Sequence, residues 1–286
     1  MLQELFDDFK KEKTYINGVA KKTLTWYWCS FEAYKRVLNG TSDALPTKPV
    51  LTQFIIGLRQ TKLSITSCNN YIRGINSFLT WLYENEHTKE HLKMKLLKDD
   101  VKTIKTFSES QVKAMLDWKP KKVSERRLYV LLCFLLDTGA RIDEAITLTR
   151  DRVDLDNLLI TLRGKGSKER IIPISLEYRK TLFKHLRSHQ FELVFCTNHG
   201  TKLRYRNLAR DFKNLGDKLG ISGVRMSYHT IRHTFAYNYI RSGGNVLYLQ
   251  RILGHTDLKM TRRYVDLQPE DLGGVHSKHS LLSRLR

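Results

Sequence analysis

Three stretches in the second half of this 286-residue sequence set a cation or an imidazole beside a glycine or a helix end, where such groups can meet a phosphate. In Thr138-Gly-Ala-Arg-Ile-Asp-Glu-Ala145 one helix stops at Gly139 and another begins near Arg141. An arginine there can present its fork to an anion while Glu144, one turn on, holds it by a charge-assisted hydrogen bond. Lys165 stands between Gly164 and Gly166. A lysine in such a turn is a mobile proton carrier whose pKa falls beside other cations, as a general acid requires. The densest stretch runs from His229-Thr-Ile-Arg232-His233 through Leu253-Gly-His255 to Tyr264. His229 and Arg232, three apart, share a helix face, and the Leu-Gly break before His255 frees its ring from helix packing.

Those residue types select among phosphoryl chemistries. No cluster of carboxylates is spaced to hold Mg²⁺, and His229 and His233 lack the glutamate of a zinc-protease motif and a third ligand, so no metal is expected. A phosphate-binding Gly-x-x-x-x-Gly-Lys-Ser/Thr loop is missing as well, and no nucleotide or organic cofactor is expected. Charge on a phosphoryl transition state would fall to Arg, His and Lys. That suits a covalent route in which a tyrosine hydroxyl attacks phosphorus while fixed cations bind the nonbridging oxygens. Each residue also has an ordinary reading. Arg141 with Glu144 could be a surface helix pair, Lys165 a solvated turn lysine, and His233, next to Arg232, reads as structural.

The elements that must position these groups are mostly helices. Apolar residues recur at three and four spacing over Leu2 to Lys13, Lys21 to Leu38, Lys48 to Arg59 and Ser64 to Glu86, with Gly40, Pro46 and Pro49 in the breaks and Thr47 placed to cap the third. A polar, charge-dense stretch from His87 to Thr106 reads as a linker, and Ser108-Glu-Ser-Gln111 has the form of a capping box that opens a new helix. The domain boundary is set there, giving residues 1–104 and 105–286. In the second part, Gln111 to Trp118 and Ser124 to Asp137 read as helices. Leu158 to Leu162 and Arg170 to Ile174 form a β-hairpin whose turn carries Lys165, and helices follow at 176–189, 207–219, 228–241, 246–253 and 258–264. The fold class is mainly α with a small β-sheet, in two domains.

Composition narrows the partner. Fifty Lys and Arg against 29 Asp and Glu give a net charge of +21, while 41% hydrophobic content excludes a disordered basic tail. Residues 1–100 carry +4 and residues 101–286 carry +17, interleaved with periodic apolar residues, which favours nucleic acid over a membrane surface. The longest apolar run, Leu128 to Leu136, is under half a membrane span, and the first residues lack the basic and apolar pattern of a leader, so a cytoplasmic protein is expected. Cys29, Cys68, Cys133 and Cys196 are far apart in apolar stretches and read as reduced, buried thiols.

The five blocks at Thr138 to Ala145, Gly164 to Ile174, His229 to Ala236, Leu253 to Asp257 and Arg263-Tyr264 resemble, in order and spacing, the signature blocks of tyrosine recombinases, the phage integrase and Xer-type family. The likeness spans residues 108–266. The N-terminal helices resemble that family's core-binding domain in position, length and helical character only. The resemblance implies a two-domain DNA clamp, a helical core-binding domain followed by a mixed α/β catalytic domain. It implies that Tyr264 attacks to form a 3′-phosphotyrosyl link, that Arg141, Arg232 and His255 stabilise the nonbridging oxygens, and that Lys165 protonates the departing 5′ oxygen. His229 becomes either the general base toward the tyrosine or a further donor to the phosphate, and Glu144 an acidic residue supporting the site. No metal or ATP is needed, because the phosphotyrosyl ester keeps the bond energy.

It further implies site-specific recombination of double-stranded DNA, with a dimer on each site, a tetramer in the synapse and a Holliday junction between two rounds of strand exchange. Such an enzyme would work in the cytoplasm, on the nucleoid. The tail from His279 to Arg286, with Leu281, Leu282 and Leu285 on one side, would dock on a neighbouring protomer. Lys168, Arg170, Lys202, Arg204, Arg206 and Arg210 are expected to contact DNA. Trp26, Tyr27 and Trp28 read as core. Compactness leans to the Xer-like type, and strong basicity to a mobile-element integrase or resolvase that integrates or transposes DNA. A type IB topoisomerase-like relaxing enzyme and a non-catalytic DNA-binding regulator of the same fold are the alternatives.

Overall fold

The computed structural model describes residues 1–38, 44–99, 104–164, 168–255 and 257–265, with only the backbone of residues 259, 262, 263 and 265. Lys165, in the hairpin turn, and the tail from residue 266 lie outside the described residues. The chain divides into two compact units, Met1–Lys102 and Thr103–Arg286. Among the described residues no helix is long and apolar enough to cross a membrane.

The first unit holds α1 (Leu2–Tyr15), α2 (Lys21–Val37), α3 (Lys48–Gln60) and α4 (Ile65–Glu84). Their apolar stripes meet in an aromatic core of Phe6, Phe9, Phe31, Tyr34, Phe54 and Phe78, with the Phe6 and Phe31 rings stacked at 3.9 Å. Ser64 caps α4 by accepting from the Ser67 N–H. Thr47 makes no capping hydrogen bond, contrary to expectation; Pro49 in the first turn of α3 has already given up one of the donors a cap would satisfy. The stretch after His87 is not a free linker either. Asn69 and Asn76 on α4 each use their amide to pair with the backbone of Leu97 and Met94, and Leu92 and Met94 are buried. Two further readings are corrected. Cys29 is exposed, and Trp28 is 48% exposed, because both lie on the outer face of α2, away from Phe31 and Tyr34.

In the second unit α5 (Glu109–Asp117) opens on the reciprocal Ser108–Gln111 capping box that the sequence spells. The next helix, α6 (Val123–Thr138), is apolar on most sides and becomes the central rod, packed by α8 (Leu176–Arg187), α9 (Tyr205–Lys218) and α10 (Tyr228–Arg241). The short α7 (Ile142–Ala145) follows it. Three antiparallel strands, β1 (Val153–Asp154), β2 (Leu159–Arg163) and β3 (Glu169–Pro173), form a sheet in the order β1-β2-β3. The two-residue β1 is too short to leave a period in sequence, and only its partner strands were legible. Ile160, Leu162 and Ile172 turn to the core with Leu131, Phe134, Phe195, Phe212 and Ile231. Finally α11 (Val246–Leu253) and α12 (Leu258–Val265) pack on α10. The fold is mainly helical with a small antiparallel sheet, as expected.

Candidate active site

The end of α11 organises the site. Its last carbonyls, unpaired as at any helix C-terminus and bearing the negative end of the helix dipole, accept from three arginines brought by three other elements. Arg170 on β3 donates Nε–H to Ile252 O at 2.8 Å. Arg232 on α10 donates one Nη to Leu253 O at 2.7 Å and the other to Gly139 O at 2.8 Å. Arg141 reaches Leu253 O at 3.3 Å and Gly254 O at 3.4 Å. Arg141 and Arg232 thus share one acceptor although they are 91 positions apart in sequence.

Local structure sets each guanidinium. The central helix stops because Gly139 takes a left-handed φ of +63°, and a Cβ there would lie 2.3 Å from the Phe235 ring. Only glycine lets the chain turn under α10 and deliver Arg141 as the residue before α7. Glu144 then accepts the Arg141 backbone N–H at 2.8 Å and its guanidinium at 3.1 Å. The same carboxylate takes a two-pronged contact from Arg170 at 2.7 and 2.8 Å. Burial opposes the charge on Glu144, but the Arg170 and Arg141 hydrogen bonds outweigh it and hold its pKa below the usual carboxylate value. Arg232 is 5% exposed. Burial and the neighbouring Arg141 push its pKa down to about 10, which leaves it cationic at neutral pH.

His255 follows Gly254, whose φ of +64° ends α11, and its Nδ1 lies 2.8 Å from Thr261 Oγ1. Burial, then Arg232 and Arg141, lower its pKa to about 4. Near neutral pH the ring is therefore uncharged. In the tautomer with the proton on Nε2, Nδ1 accepts from the Thr261 hydroxyl and Nε2–H is the ring's remaining donor. Tyr264, on α12, packs against Ala236, Leu249 and Leu253 and is 3% exposed. Its hydroxyl lies 2.8 Å from Nδ1 of His233. His229 sits one turn earlier on α10 at the open edge, its ring centroid 6.3 Å from that of His233. Partial enclosure and the cations Arg232 and Arg141 lower its pKa.

The structure therefore brings Arg141, Glu144, Arg232, His255 and Tyr264 together, with His229 at the rim. The described hairpin residue Gly164 lies near Glu144: its N–H donates to Lys168 O at 2.8 Å, and a Cβ on it would lie 3.6 Å from Glu144 Oε1. Arg170 faces inward. It was expected to contact DNA, but its side chain is 14% exposed and its guanidinium is committed to Glu144 and Ile252. The β3 pleat turns it inward, which basicity alone cannot reveal. Lys168, Lys202, Arg204, Arg206 and Arg210 are exposed, and Arg210 pairs with Asp211 at 3.3 Å. His233 was set aside in the sequence as structural; its spacing of four from His229 on one helix was the available signal that it faces the same cleft.

Residues 105–271 match the phage integrase family. The chain belongs to that family, the tyrosine recombinases. Tyrosine recombinase XerD of Vibrio cholerae is 30% identical over 184 residues, 61% of each chain, so the match spans about three fifths of that relative. Tyrosine recombinase XerA of Thermococcus kodakarensis is 28% identical over 239 residues, 82% of each. In fold, this recombinase is similar to the Tn1549 transposon integrase in complex with transposon right end DNA, at TM-score 0.77 and 19% identity over 97% of this chain and 98% of that one. A lambda integrase dimer bound to a core site gives TM-score 0.77 and 17% identity, over 94% and 96%.

Proposed function

We propose that this recombinase cuts and rejoins duplex DNA at specific sites through a 3′-phosphotyrosyl intermediate. The observation that carries the reading is the shared Leu253 carbonyl. It holds two guanidiniums from separate elements side by side, with the His255 imidazole and the Tyr264 hydroxyl in the same electrostatic neighbourhood. Carbonyls are weak partners for cations compared with a phosphate, so the arginines are preorganised yet ready to exchange them for nonbridging oxygens. Tyr264 would attack phosphorus, Arg141, Arg232 and His255 would bind the oxygens as charge grows, and Lys165 would protonate the leaving 5′ oxygen. His229, at the rim, suits a further donor to the phosphate. Glu144 would keep Arg141 and Arg170 in place.

The remaining positive charge, with Lys168, Lys202, Arg204, Arg206 and Arg210 exposed, would track the backbone, so affinity should fall steeply with salt while the cleavage step should not. The named relatives and the DNA-bound neighbours support a DNA partner. On this reading the two units, residues 1–104 and 105–286, close around a duplex, two protomers bind each site, and four form the synapse. The C-terminal tail would link neighbours, and the enzyme would act on nucleoid DNA in the cytoplasm. The test is strand exchange between two labelled duplexes carrying the same site. Recombinant products and a Holliday junction on a native gel are expected. Plasmid relaxation at any sequence with no joining of sites would favour a topoisomerase and overturn the proposal.

A further inference from the structure

Near neutral pH only about one in a thousand molecules of an unperturbed phenol is ionised, so an attacking tyrosine needs somewhere to send its proton. Tyr264 is almost fully enclosed, which keeps bulk water from serving. The group in position is His233, with Nδ1 at 2.8 Å from the phenolic oxygen and ring centroids 5.7 Å apart. We infer that His233 is the general base that receives the Tyr264 proton during cleavage and returns it during religation. The inference rests on Tyr264 being the nucleophile, as proposed above.

The geometry favours His233 over His229 for this task. Both lie on one face of α10, but His229 is at its exposed edge, whereas His233 is partly buried beneath α12. In the tautomer with the proton on Nε2, His233 Nδ1 accepts the Tyr264 O–H directly. During attack the O–H bond breaks and its proton moves to Nδ1. The phenolic oxygen uses the electron pair to form the O–P bond, and the P–O5′ bond breaks with its pair going to the 5′ oxygen, which takes a proton from Lys165. In religation the 5′ hydroxyl attacks, its proton goes to Lys165, and the His233 imidazolium protonates the departing phenolate. Among the described residues, the charged and titratable groups near His233 include His229 and Arg232 on its own helix, Tyr264 on α12 and His255 after α11.

A structural anchor would hold the tyrosine without taking its proton, and the pH profile separates the two. The experiment is single-turnover cleavage of a nicked duplex by wild type, His233→Gln and His233→Asn, with noncovalent DNA binding measured alongside. General-base loss predicts a rate lower by roughly 10²–10⁴-fold near neutral pH with binding retained. It also predicts a log rate that climbs with hydroxide where the wild type has levelled off. A variant that cleaves within about threefold of wild type, or is slow but keeps the wild-type profile, overturns the base role. If both variants fail to fold, fluorotyrosine at position 264 in the otherwise unaltered chain makes the test. The acid break of the profile should stay where it is; a break that moves with phenol acidity overturns the inference. Absence of any wild-type adduct would instead overturn the parent proposal, so the two failures are distinct.

Discussion

Replacing Glu144 by glutamine keeps the shape of the side chain and removes one charge, and the structure sets the size of the effect. The carboxylate accepts the Arg141 N–H at 2.8 Å, the Arg141 guanidinium at 3.1 Å and two Arg170 donors at 2.7 and 2.8 Å, with its side chain 4% exposed. Glutamine offers one acceptor oxygen and turns an NH₂ toward cationic donors. Arg141, Arg170 and Arg232 are then left facing one another with the carboxylate gone. Breaking a buried ion pair from one side costs about 3–5 kcal/mol. Arg141 is 37% exposed, and solvent screens its share, which places the loss near the lower end, about 3 kcal/mol. At about 2–4 °C per kcal/mol for a unit of this size, its melting midpoint should drop by roughly 6–12 °C. Calorimetry and urea unfolding of the whole chain measure this directly. A double variant, Glu144→Gln with Arg170→Met, should recover part of the loss, since it removes an unpaired cation along with its partner. A single-variant loss under about 1 kcal/mol would refute the view that one carboxylate holds the arginine cluster.

Other perturbations probe different parts of the site. Gly139→Ala forces a side chain into a left-handed backbone and against the Phe235 ring, and should destabilise by more than about 1 kcal/mol; a neutral effect in urea unfolding would contradict the tight turn under α10. Arg232→Lys keeps the charge but cannot span Gly139 O and Leu253 O together, so cleavage should slow by roughly 10²-fold or more with DNA affinity little changed; loss of binding instead would argue for a backbone-contact role. His255 is held neutral in the fold, with a pKa of about 4 against an ordinary 6.5, so the unfolded chain binds the proton more readily. Its contribution is present above the unfolded pKa and is lost as pH falls from there toward the folded value, at most about 3 kcal/mol. The urea midpoint should fall over that window, and His255→Gln should flatten the fall; an unchanged slope would contradict the buried neutral ring.

Much of the scaffold was legible because its signals are local. The apolar spacing located α10 and α11, and the structure starts them at the caps Ser227 and Asn245, which accept from Thr230 and from Leu247 and Tyr248. Gly139 and the Ser108–Gln111 box marked real helix ends for the same reason. What escaped depends on tertiary direction. Arg170 reads as one more basic residue until the pleat of β3 points it at Glu144. The pairing of Asn69 and Asn76 with a distant backbone turns an apparent linker into a strap on α4. His233 looked like the neighbour of a catalytic arginine, and only the packing of α12 over α10 puts Tyr264 beside it. The convergence of three arginines on the end of α11 has no sequence signature, since the acceptors are backbone carbonyls.

The central claim is that Tyr264 becomes joined to DNA. It is tested most directly by incubating the protein with a library of nicked duplexes of randomised sequence, in which loss of the short cut fragment blocks religation. Adducts that survive denaturant are then isolated and mapped by mass spectrometry, and the trapped DNA is sequenced. The account predicts a covalent 3′-phosphate link at Tyr264, a shared sequence among the trapped duplexes, and no adduct from Tyr264→Phe. An inert wild type, or an adduct that persists in Tyr264→Phe, would contradict it.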